Sequence, residues 1–432
     1  MDRTFILTRT KHFFQGLLLA LILFGILAGS LFFWWAVRPS TYQVNQHLDY
    51  ELYPEFVSNG RHNANTDLIK WNGNYYFIYA NQPGNQGSTT TFLSLNRGSN
   101  LHSMTEIMQL RVPGEDIRDP KFAVIQDQLF IYYLKNAGTM AIPYGTAYLN
   151  STDGVTWSAP QDLPGMAGWC LWRPKTRDNV TWYCSVYKND QADNSLFRTT
   201  DGIHWTFISK IASGVGISED ELIFLDDGSM LVSIRNELNP TTVIGDVMAG
   251  TLLAIANPPY TSWNVTLDKL TKLDGPCLFN ITDGGTNRYF AVGRFQPEVD
   301  GWLTAMGSVF AKKRTSFFEF VNLTTTPALR YISDLPSSGD STYEGVVIEN
   351  GRIYITYYTN DFKTDPAWLL GMLVPSNIVL ANVSITSFID AANNPLSPSI
   401  GLPWDNYIIV SINAAFIFVV ILQIARKNSR NK

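Results

Sequence analysis

The chain has 432 residues and a formal net charge of −5, and 45% of its residues are hydrophobic. Because segments 1–39 and 404–432 each carry about +3, the residues between them carry about −11. This acidic surplus disfavours a nucleic-acid partner, whose phosphates need a basic surface, so none is predicted. The three cysteines lack metal-binding spacing and the five histidines are scattered, so no metal site and no cofactor are predicted either.

An apolar segment near each end of the chain is long enough to cross a bilayer as a helix. The first covers residues 13–37 and the second covers residues 407–425. A cleaved signal peptide is the alternative for the first segment, but its apolar core is too long. Positive charge flanks both segments on the terminal side, which favours cytoplasmic termini. We therefore expect a two-pass membrane protein with residues 1–12 and a basic tail at 426–432 in the cytoplasm, and with residues 40–403 in an extracellular or lumenal space.

Between these segments the sequence repeats a unit of two short apolar strands joined by a tight turn. In the first unit, the turn Asn72-Gly73 separates a strand that ends at Trp71 from an aromatic strand. Six such units begin at intervals of 47 to 67 residues, and no long helical pattern interrupts them. Units of this kind at this period are typical of four-stranded propeller blades. The sequence therefore predicts an all-β, six-bladed β-propeller over residues 40–403, with blades that begin near residues 67, 119, 172, 219, 276 and 343.

Two copies of a turn motif, Ser/Thr-X-Asp-Gly-X-X-Trp, lie in the second and third units at residues 151–157 and 199–205. The Asp-Gly pair can form a tight turn, because Gly adopts positive φ and Asp hydrogen-bonds to its own backbone. The tryptophan that follows can then pack back over the turn. We interpret Asp153 and Asp201 as structural residues and not as catalytic ones.

The first strand of each propeller blade lines the central axis, so the residues that open these strands converge at one end of it. Carboxylates, guanidinium groups and a tyrosine would meet there. This set suits glycoside cleavage, because the oxocarbenium-like transition state needs an acid, a carboxylate partner and fixed contacts to sugar oxygens. The candidate site residues are Asp67, Arg118, Asp119, Trp172, Arg173, Glu219, Glu221 and Tyr343, together with Arg235 and Arg294 at the ends of second strands.

The order of these motifs over residues 60–370 resembles the sialidase, or neuraminidase, superfamily, and in particular its bacterial sialidase-like branch with Asp-box repeats. The matching stretches include His62–Leu68, Asp116–Lys121, Glu219–Arg235 and Gly339–Gly345, together with the two turn motifs. The resemblance covers nearly all of the predicted propeller and neither predicted membrane span.

The resemblance implies an exo-sialidase-like glycosidase with a tyrosine nucleophile. It assigns the nucleophile to Tyr343 and the base that activates it to Glu219. A phenol suits this role because an anionic nucleophile would be repelled by the carboxylate of a sialic acid. Bidentate guanidinium pairs hold that carboxylate, and the resemblance assigns this function to Arg235 and Arg294. Further candidates for binding the substrate, a glycan or glycoconjugate, are Arg118, Arg173 and Trp172.

The sequence departs from the family pattern in blade one. The family's first strand usually carries Arg-Ile-Pro, whereas this chain has Asn65-Thr66-Asp67. The loop that usually bears the acid/base aspartate corresponds to residues 81–88, which contain neither a carboxylate nor an arginine. Asp67 or Asp119 would therefore have to supply the acid.

Structural interpretations stand beside these functional ones. Arg118 and Asp119 can form a pair that closes the start of blade two, and Arg235 and Arg294 can bridge neighbouring blades. Trp172 can pack in the core.

The sequence leaves three functions open. The first is a membrane-anchored, sialidase-like glycoside hydrolase that acts on glycoconjugate sugars outside the cytoplasm. The second is a non-catalytic glycan-binding or adhesion propeller that lacks the acid/base. The third is a three-carboxylate glycosidase of the invertase or arabinanase kind, which would use Asp67, Asp119 and Glu219, although six repeats and two turn motifs favour the other two.

Overall fold

The chain divides into two compact units, Pro39–Gly401 and Met1–Arg38 with Leu402–Lys432. The domain ends predicted at residues 403 and 432 lie outside the described residues. The computed structural model describes residues 3–138, 143–236, 250–298, 310–401 and 404–430.

The unit Pro39–Gly401 is a six-bladed β-propeller, which confirms the predicted fold class. Each blade is an antiparallel sheet whose strands follow one another in chain order, except that the outer strand of the last blade comes from the beginning of this unit. The first and last parts of the unit therefore pair and close the ring. All six predicted starting points lie in or beside the innermost strand of their blade.

The strands are numbered along the chain, and β1 (Tyr50–Val57) is the outer strand of blade six. Blades one to three contain β2 (His62–Trp71), β3 (Asn74–Gln82), β4 (Phe92–Gly98) and β5 (Thr105–Leu110); β6 (Asp116–Ile125), β7 (Gln128–Asn136), β8 (Pro143–Ser151) and β9 (Gln161–Asp162); and β10 (Trp169–Leu171), β11 (Lys175–Thr176), β12 (Trp182–Lys188), β13 (Asp193–Thr199) and β14 (Thr206–Ser213). Blades four to six contain β15 (Ile217–Phe224), β16 (Met230–Asn236), β17 (Thr251–Ala256) and β18 (Asn264–Asp268); β19 (Asp274–Asp283), β20 (Thr286–Phe295), β21 (Arg314–Val321) and β22 (Ala328–Leu335); and β23 (Thr342–Glu349), β24 (Arg352–Thr359) and β25 (Asn377–Ser384).

The hydrophobic core of the described residues consists of six clusters: five lie between neighbouring blades, and the sixth joins blades one and six and extends to residues of blades two and three. The second strands of the blades are covered on both faces, so they read as nearly continuous apolar runs. Strand β7 is an example, because its residues Leu129–Leu134 are all buried. This packing fixes the blades around the axis and thereby fixes the residues at its ends.

The two predicted turn motifs form the same turn. In each, one carboxylate oxygen of the aspartate, Asp153 or Asp201, accepts hydrogen bonds from the backbone N–H groups two and three residues later, at 2.7–2.8 Å. The indole of Trp205 packs back and donates to the Gly202 carbonyl at 3.3 Å. A third copy occupies residues 176–182, where Asp178 accepts the equivalent bonds at 2.9 and 2.7 Å. The sequence pattern missed it because Asn, with a φ of 58°, stands in the glycine position.

Among the described residues there are four helices, and two of them are long and apolar enough to cross a membrane, over Phe14–Val37 and Trp404–Ile424. Polar side chains join these two helices: the indole N–H of Trp35 donates to Asn406 at 2.8 Å. Asn413 also donates to Ser30 at 3.0 Å. The helices are α1 (Arg3–Val37), α2 (Trp368–Gly371), α3 (Ile385–Asn393) and α4 (Trp404–Arg430).

Candidate active site

Five of the six innermost strands contain a β-bulge, an irregularity in pairing with the second strand, near their beginning. The residue at each bulge has a positive φ of 38–54°. Positive φ is unfavourable for residues other than glycine and is concentrated at functional sites. The bulge residues are Asn65, Asp119, Glu219, Gly275 and Tyr343.

Four of these five residues, all except Gly275, line one cavity of about 240 Å³. Arg235 and Arg294 line it as well, from the second strands of blades four and five. The cavity therefore gathers candidate residues that are far apart in sequence. The complete lining is Asn65, Asn85, Arg118, Asp119, Asn136, Pro143, Tyr187, Gln191, Ser218, Glu219, Arg235, Arg294, Tyr343, Trp368 and Met372.

The Tyr343 hydroxyl donates a hydrogen bond of 2.5 Å to Oε1 of Glu219. Arg235 donates to the same carboxylate oxygen, and its Nη1 lies 3.3 Å from the Tyr343 hydroxyl. The second Glu219 oxygen accepts the Gly275 N–H at 2.9 Å. Gly275 permits this approach, since a Cβ there would lie 3.0 Å from the Tyr343 ring and the residue has a φ of +54°. Both oxygens of the Glu219 carboxylate are therefore held, Oε1 by the phenol and Arg235 and Oε2 by the Gly275 N–H.

Burial raises the pKa of Tyr343 well above its ordinary value, and the charge of Glu219 raises this pKa further. Arg235 and Arg294 act in the opposite direction on the same pKa. The phenol therefore holds its proton at rest and shares it with Glu219. Loss of that proton depends on the two guanidinium groups for stabilisation.

The two arginines are held by buried aspartates between blades. Asp274 accepts from Arg294 Nε at 3.0 Å and forms an ion pair with Arg235 Nε at 3.2 Å. Arg294 also donates to Asp340 at 3.3 Å, and its guanidinium lies over the ring of Trp368 at 4.8 Å. Burial tends to raise the pKa of Asp274, but the nearby cations, Arg235 foremost, hold it below its usual range. Both arginines therefore bridge neighbouring blades and also line the cavity.

Asp119 is a buried carboxylic acid on the wall of this cavity. Its Oδ1 accepts a hydrogen bond of 2.5 Å from the Asn65 amide. Burial raises the pKa of Asp119 from 3.8 to about 6, with Glu219 raising it and Lys121 and Arg118 lowering it. Asp119 therefore changes its protonation state in mildly acidic conditions.

Arg118 pairs with Asp116, at 2.5 Å, and not with Asp119 as the structural interpretation had it. Its guanidinium also donates to Gln82 at 3.2 Å and to the Asn85 side chain at 2.9 Å. Asn85 in turn donates to Asp340 at 2.7 Å. The loop at residues 81–88 therefore braces Arg118 and Asp340 through amide groups.

No model of a known protein family matches this chain, and no curated protein sequence matches it. Among solved structures, a mutant of Trypanosoma rangeli sialidase displaying trans-sialidase activity aligns at 10% identity with a TM-score of 0.56, over 80% of this chain and 60% of that one. The phage phi92 endosialidase aligns at 10% identity and 0.55, over 78% and 69%. A Hadza microbial sialidase aligns at 14% identity and 0.50, over 76% and 66%. The chain has a sialidase-like fold.

This chain spans about 60% of the length of the Trypanosoma rangeli sialidase. One of the similar structures, of that same sialidase, holds 2,3-difluorosialic acid as a covalent intermediate. At these identities the likeness establishes the architecture of the sialidase-like propeller alone.

Four candidate residues do not line the cavity of the sialidase-like propeller. Asp67 accepts from the Phe122 N–H at 2.7 Å and pairs with Arg173 at 3.0 Å, and Arg173 also pairs with Glu221. Asp67 and Arg173 instead line a separate cavity of about 450 Å³. Trp172 is buried, with Lys121 at 4.5 Å over its ring. These contacts agree with the interpretation of Trp172 as a packing residue. Asp67, Arg173 and Glu221 form a charged network.

Several residues of the cavity were missed by the sequence reasoning. Asn136 ends a second strand, Ser218 precedes Glu219 in β15, and Trp368 begins the short helix α2. Asn65 was noted only as part of a departure from the family pattern. Its signal in the sequence is its place in the strand, two residues before Asp67, which is where a bulge can turn a side chain toward the cavity.

In the part of the chain that the structure describes, no group of three or more His, Cys, Asp and Glu residues is placed to hold a metal ion. Cys170, Cys184 and Cys277 are buried free thiols.

Proposed function

We propose that this protein is a membrane-anchored, sialidase-like glycoside hydrolase that acts on acidic or neutral sugars of glycoconjugates outside the cytoplasm. One observation carries the proposal. A tyrosine hydroxyl donates to a glutamate at 2.5 Å on the wall of a cavity that three arginines and a protonatable aspartate also line. This is the arrangement of a nucleophile with its base.

Tyr343 is the proposed nucleophile. As its oxygen bonds to the anomeric carbon, its proton passes to Glu219, with which it already shares a hydrogen bond. Arg235, 3.3 Å from the phenol oxygen, stabilises the negative charge that develops there. Arg294 and Arg235 also supply the positive side of the cavity for an acceptor-rich or anionic group of the sugar.

Asp119 is the proposed acid. Of the two aspartates that the sequence offers, Asp119 lines the cavity with Tyr343 and Glu219, whereas Asp67 does not. A pKa of about 6 allows Asp119 to donate a proton to the leaving oxygen and then to accept one from the water that releases the sugar. A covalent intermediate on Tyr343 would give retention of configuration.

The proposed topology follows the charges at the ends of the two apolar helices. We propose spans at residues 13–37 and 407–425, with residues 1–12 and 426–432 in the cytoplasm and the propeller at 40–403 outside it. The repeated aspartate turns support placing the chain in the Asp-box branch of the sialidase superfamily.

A non-catalytic glycan-binding propeller is the second candidate, and one observation favours it. The loop at residues 81–88 supplies amides that hold Arg118 and Asp340, and it brings no carboxylate to the cavity. The three-carboxylate glycosidase is not proposed, because Asp67 lies outside the cavity that contains Asp119 and Glu219.

The test is turnover by the full-length chain in detergent micelles on a panel of sialosides and neutral glycosides, beside Tyr343→Phe. We expect the variant to lose at least about 10³-fold in kcat/KM, because the nucleophile is removed. Tyr357→Phe is the matched control, since this neighbouring buried tyrosine bonds to the Pro336 carbonyl, at 2.8 Å, and does not line the cavity. Unchanged turnover in Tyr343→Phe would refute the nucleophile. Binding to the panel without turnover would favour the glycan-binding candidate.

A further inference from the structure

Three buried oxygen atoms on the cavity wall have no hydrogen-bond partner among the described residues. They are Oδ1 of Asn65, Oδ1 of Asn136 and Oγ of Ser218. The side chains are almost fully buried, with exposures of 3%, 0% and 2%. A buried polar atom without a partner is unfavourable, so each such group in a folded protein calls for a ligand or a water.

The orientation of the two amides is fixed by their other ends. Asn65 donates through Nδ2 to the Asp119 carboxylate at 2.5 Å. Asn136 donates through Nδ2 to the backbone carbonyl of Asp116 at 3.1 Å. The Asp116 carbonyl can only accept, and the Asp119 carboxylate also only accepts when it is ionised, so turning either amide around would then place oxygen against oxygen. The amide oxygens are therefore the atoms left without a partner, and they can only accept.

The two amide oxygens come from neighbouring blades of the propeller. Asn65 belongs to blade one and Asn136 to blade two, whereas Arg235 and Arg294 belong to blades four and five. The unpartnered amide oxygens therefore come from blades one and two, whereas two of the three arginines that line the cavity come from blades four and five.

We propose that Asn65 and Asn136 determine specificity by accepting hydrogen bonds from the hydroxyl or amide hydrogens of the bound sugar. The ligand class is a sugar ring with donor groups toward blades one and two and acceptor groups toward the arginines. The Ser218 hydroxyl can accept or donate a hydrogen bond, so it can pair with a further hydroxyl group of the sugar in either sense. The inference rests on the proposed function only in taking the ligand to be a sugar, and it requires no turnover.

The experiment measures binding to the full-length chain in detergent micelles by isothermal titration calorimetry. The probes are the methyl glycosides of N-acetylneuraminic acid, N-acetylglucosamine and galactose, followed by the monodeoxy analogues of the tightest binder. The proteins are the natural chain, Asn65→Ala, Asn136→Ala and, as a matched control, Asn264→Ala, whose exposed side chain lies on the outer strand β18. Each deoxy analogue removes one hydroxyl donor of the sugar. If a variant fails to fold, the affinities of the natural chain for these analogues still test whether such donors contribute to binding.

We expect at least one deoxy analogue to bind the natural chain and the control about tenfold more weakly, because an asparagine oxygen is left unpaired. The same analogue should lose less than about threefold in one asparagine variant, where that oxygen is already absent. The proposal is overturned if no probe binds, if all deoxy analogues bind as tightly as the parent, or if the loss persists in both variants. The last two results mean that water alone satisfies the amides.

The result of this binding experiment is independent of whether the protein proves to be a hydrolase. If a deoxy position is coupled to Asn65 or Asn136 but no substrate is turned over, the specificity proposal is supported and the hydrolase proposal is refuted. If turnover depends on Tyr343 but no such coupling is found, the hydrolase proposal is supported and the specificity proposal is refuted.

Discussion

The buried acid Asp119 gives the sharpest prediction of the chemistry. Burial raises its pKa from 3.8 to about 6, which corresponds to about 3 kcal/mol against ionising the carboxyl in the folded protein. About nine molecules in ten therefore carry the proton at pH 5, and about one in ten at pH 7. If Asp119 is the acid, kcat/KM should fall about tenfold per pH unit above pH 6.

The assay compares two leaving groups with the natural chain and Asp119→Asn. An alkyl glycoside needs a proton on its leaving oxygen, so the variant should lose about 10²–10⁴-fold in kcat/KM and should lose the fall above pH 6. A 4-nitrophenyl glycoside leaves as a stable phenolate, so its rate should change far less. The reasoning is refuted if both substrates slow equally, or if the fall above pH 6 survives the substitution.

The same pKa has a consequence for stability. The folded protein binds this proton more tightly than the unfolded chain, so the contribution of protonated Asp119 is complete below about pH 4 and is lost as pH rises through 6. Between these limits the natural chain should lose up to about 3 kcal/mol more in the free energy of unfolding than Asp119→Asn does. Urea unfolding at pH 4, 5, 6 and 7 measures the difference, and parallel pH profiles of the two proteins would contradict it.

Three further substitutions test the framework around the site. Arg294→Leu leaves two buried carboxylates without this partner and should cost about 3–5 kcal/mol in urea unfolding, whereas Arg352→Leu at the surface should cost less than about 1 kcal/mol. Gly345→Ala places a Cβ 2.1 Å from a backbone nitrogen and should lower Tm strongly, while Gly401→Ala, with nothing within 4 Å, should not. Asp178→Ala should lower Tm slightly by removing the acceptor of the third turn, and an unchanged Tm would show that this turn adds no stability.

The fold was predictable because its signals are local. Each hairpin carries its own alternation and its own turn residues, so blade starting points at residues such as 119 and 219 could be read directly from the chain. The third aspartate turn escaped because Asn179 adopts the positive φ that the pattern reserves for glycine. A consensus motif describes residue types, whereas the turn requires only a conformation.

The site was predictable in part. Glu219, Tyr343, Asp119 and three of the candidate arginines do line one cavity, but Asp67 does not, and the difference lies in the bulge. A bulge near the start of a strand changes which side chain faces the cavity. In blade one the bulge directs the side chain of Asn65, and not that of Asp67, toward the cavity. The lining residues from second strands and from α2, such as Asn136 and Trp368, depend on how blades close against each other. Sequence spacing carries no signal for that.

In this propeller the bulge sets the direction of a side chain at the cavity, and the residue type at the bulge sets its chemistry. At the four bulge positions that line the cavity, the backbone kink directs the side chain, so a carboxylate, an amide or a phenol can occupy equivalent positions. Exchanging residue types at these four positions would alter what the cavity binds while the blades stay as they are. Deleting one residue at such a position would act in the opposite way, because the inner strand would regain regular pairing and lose the kink that directs the bulge side chain, while residues on either side such as Ala64 and Asp67 keep their partners.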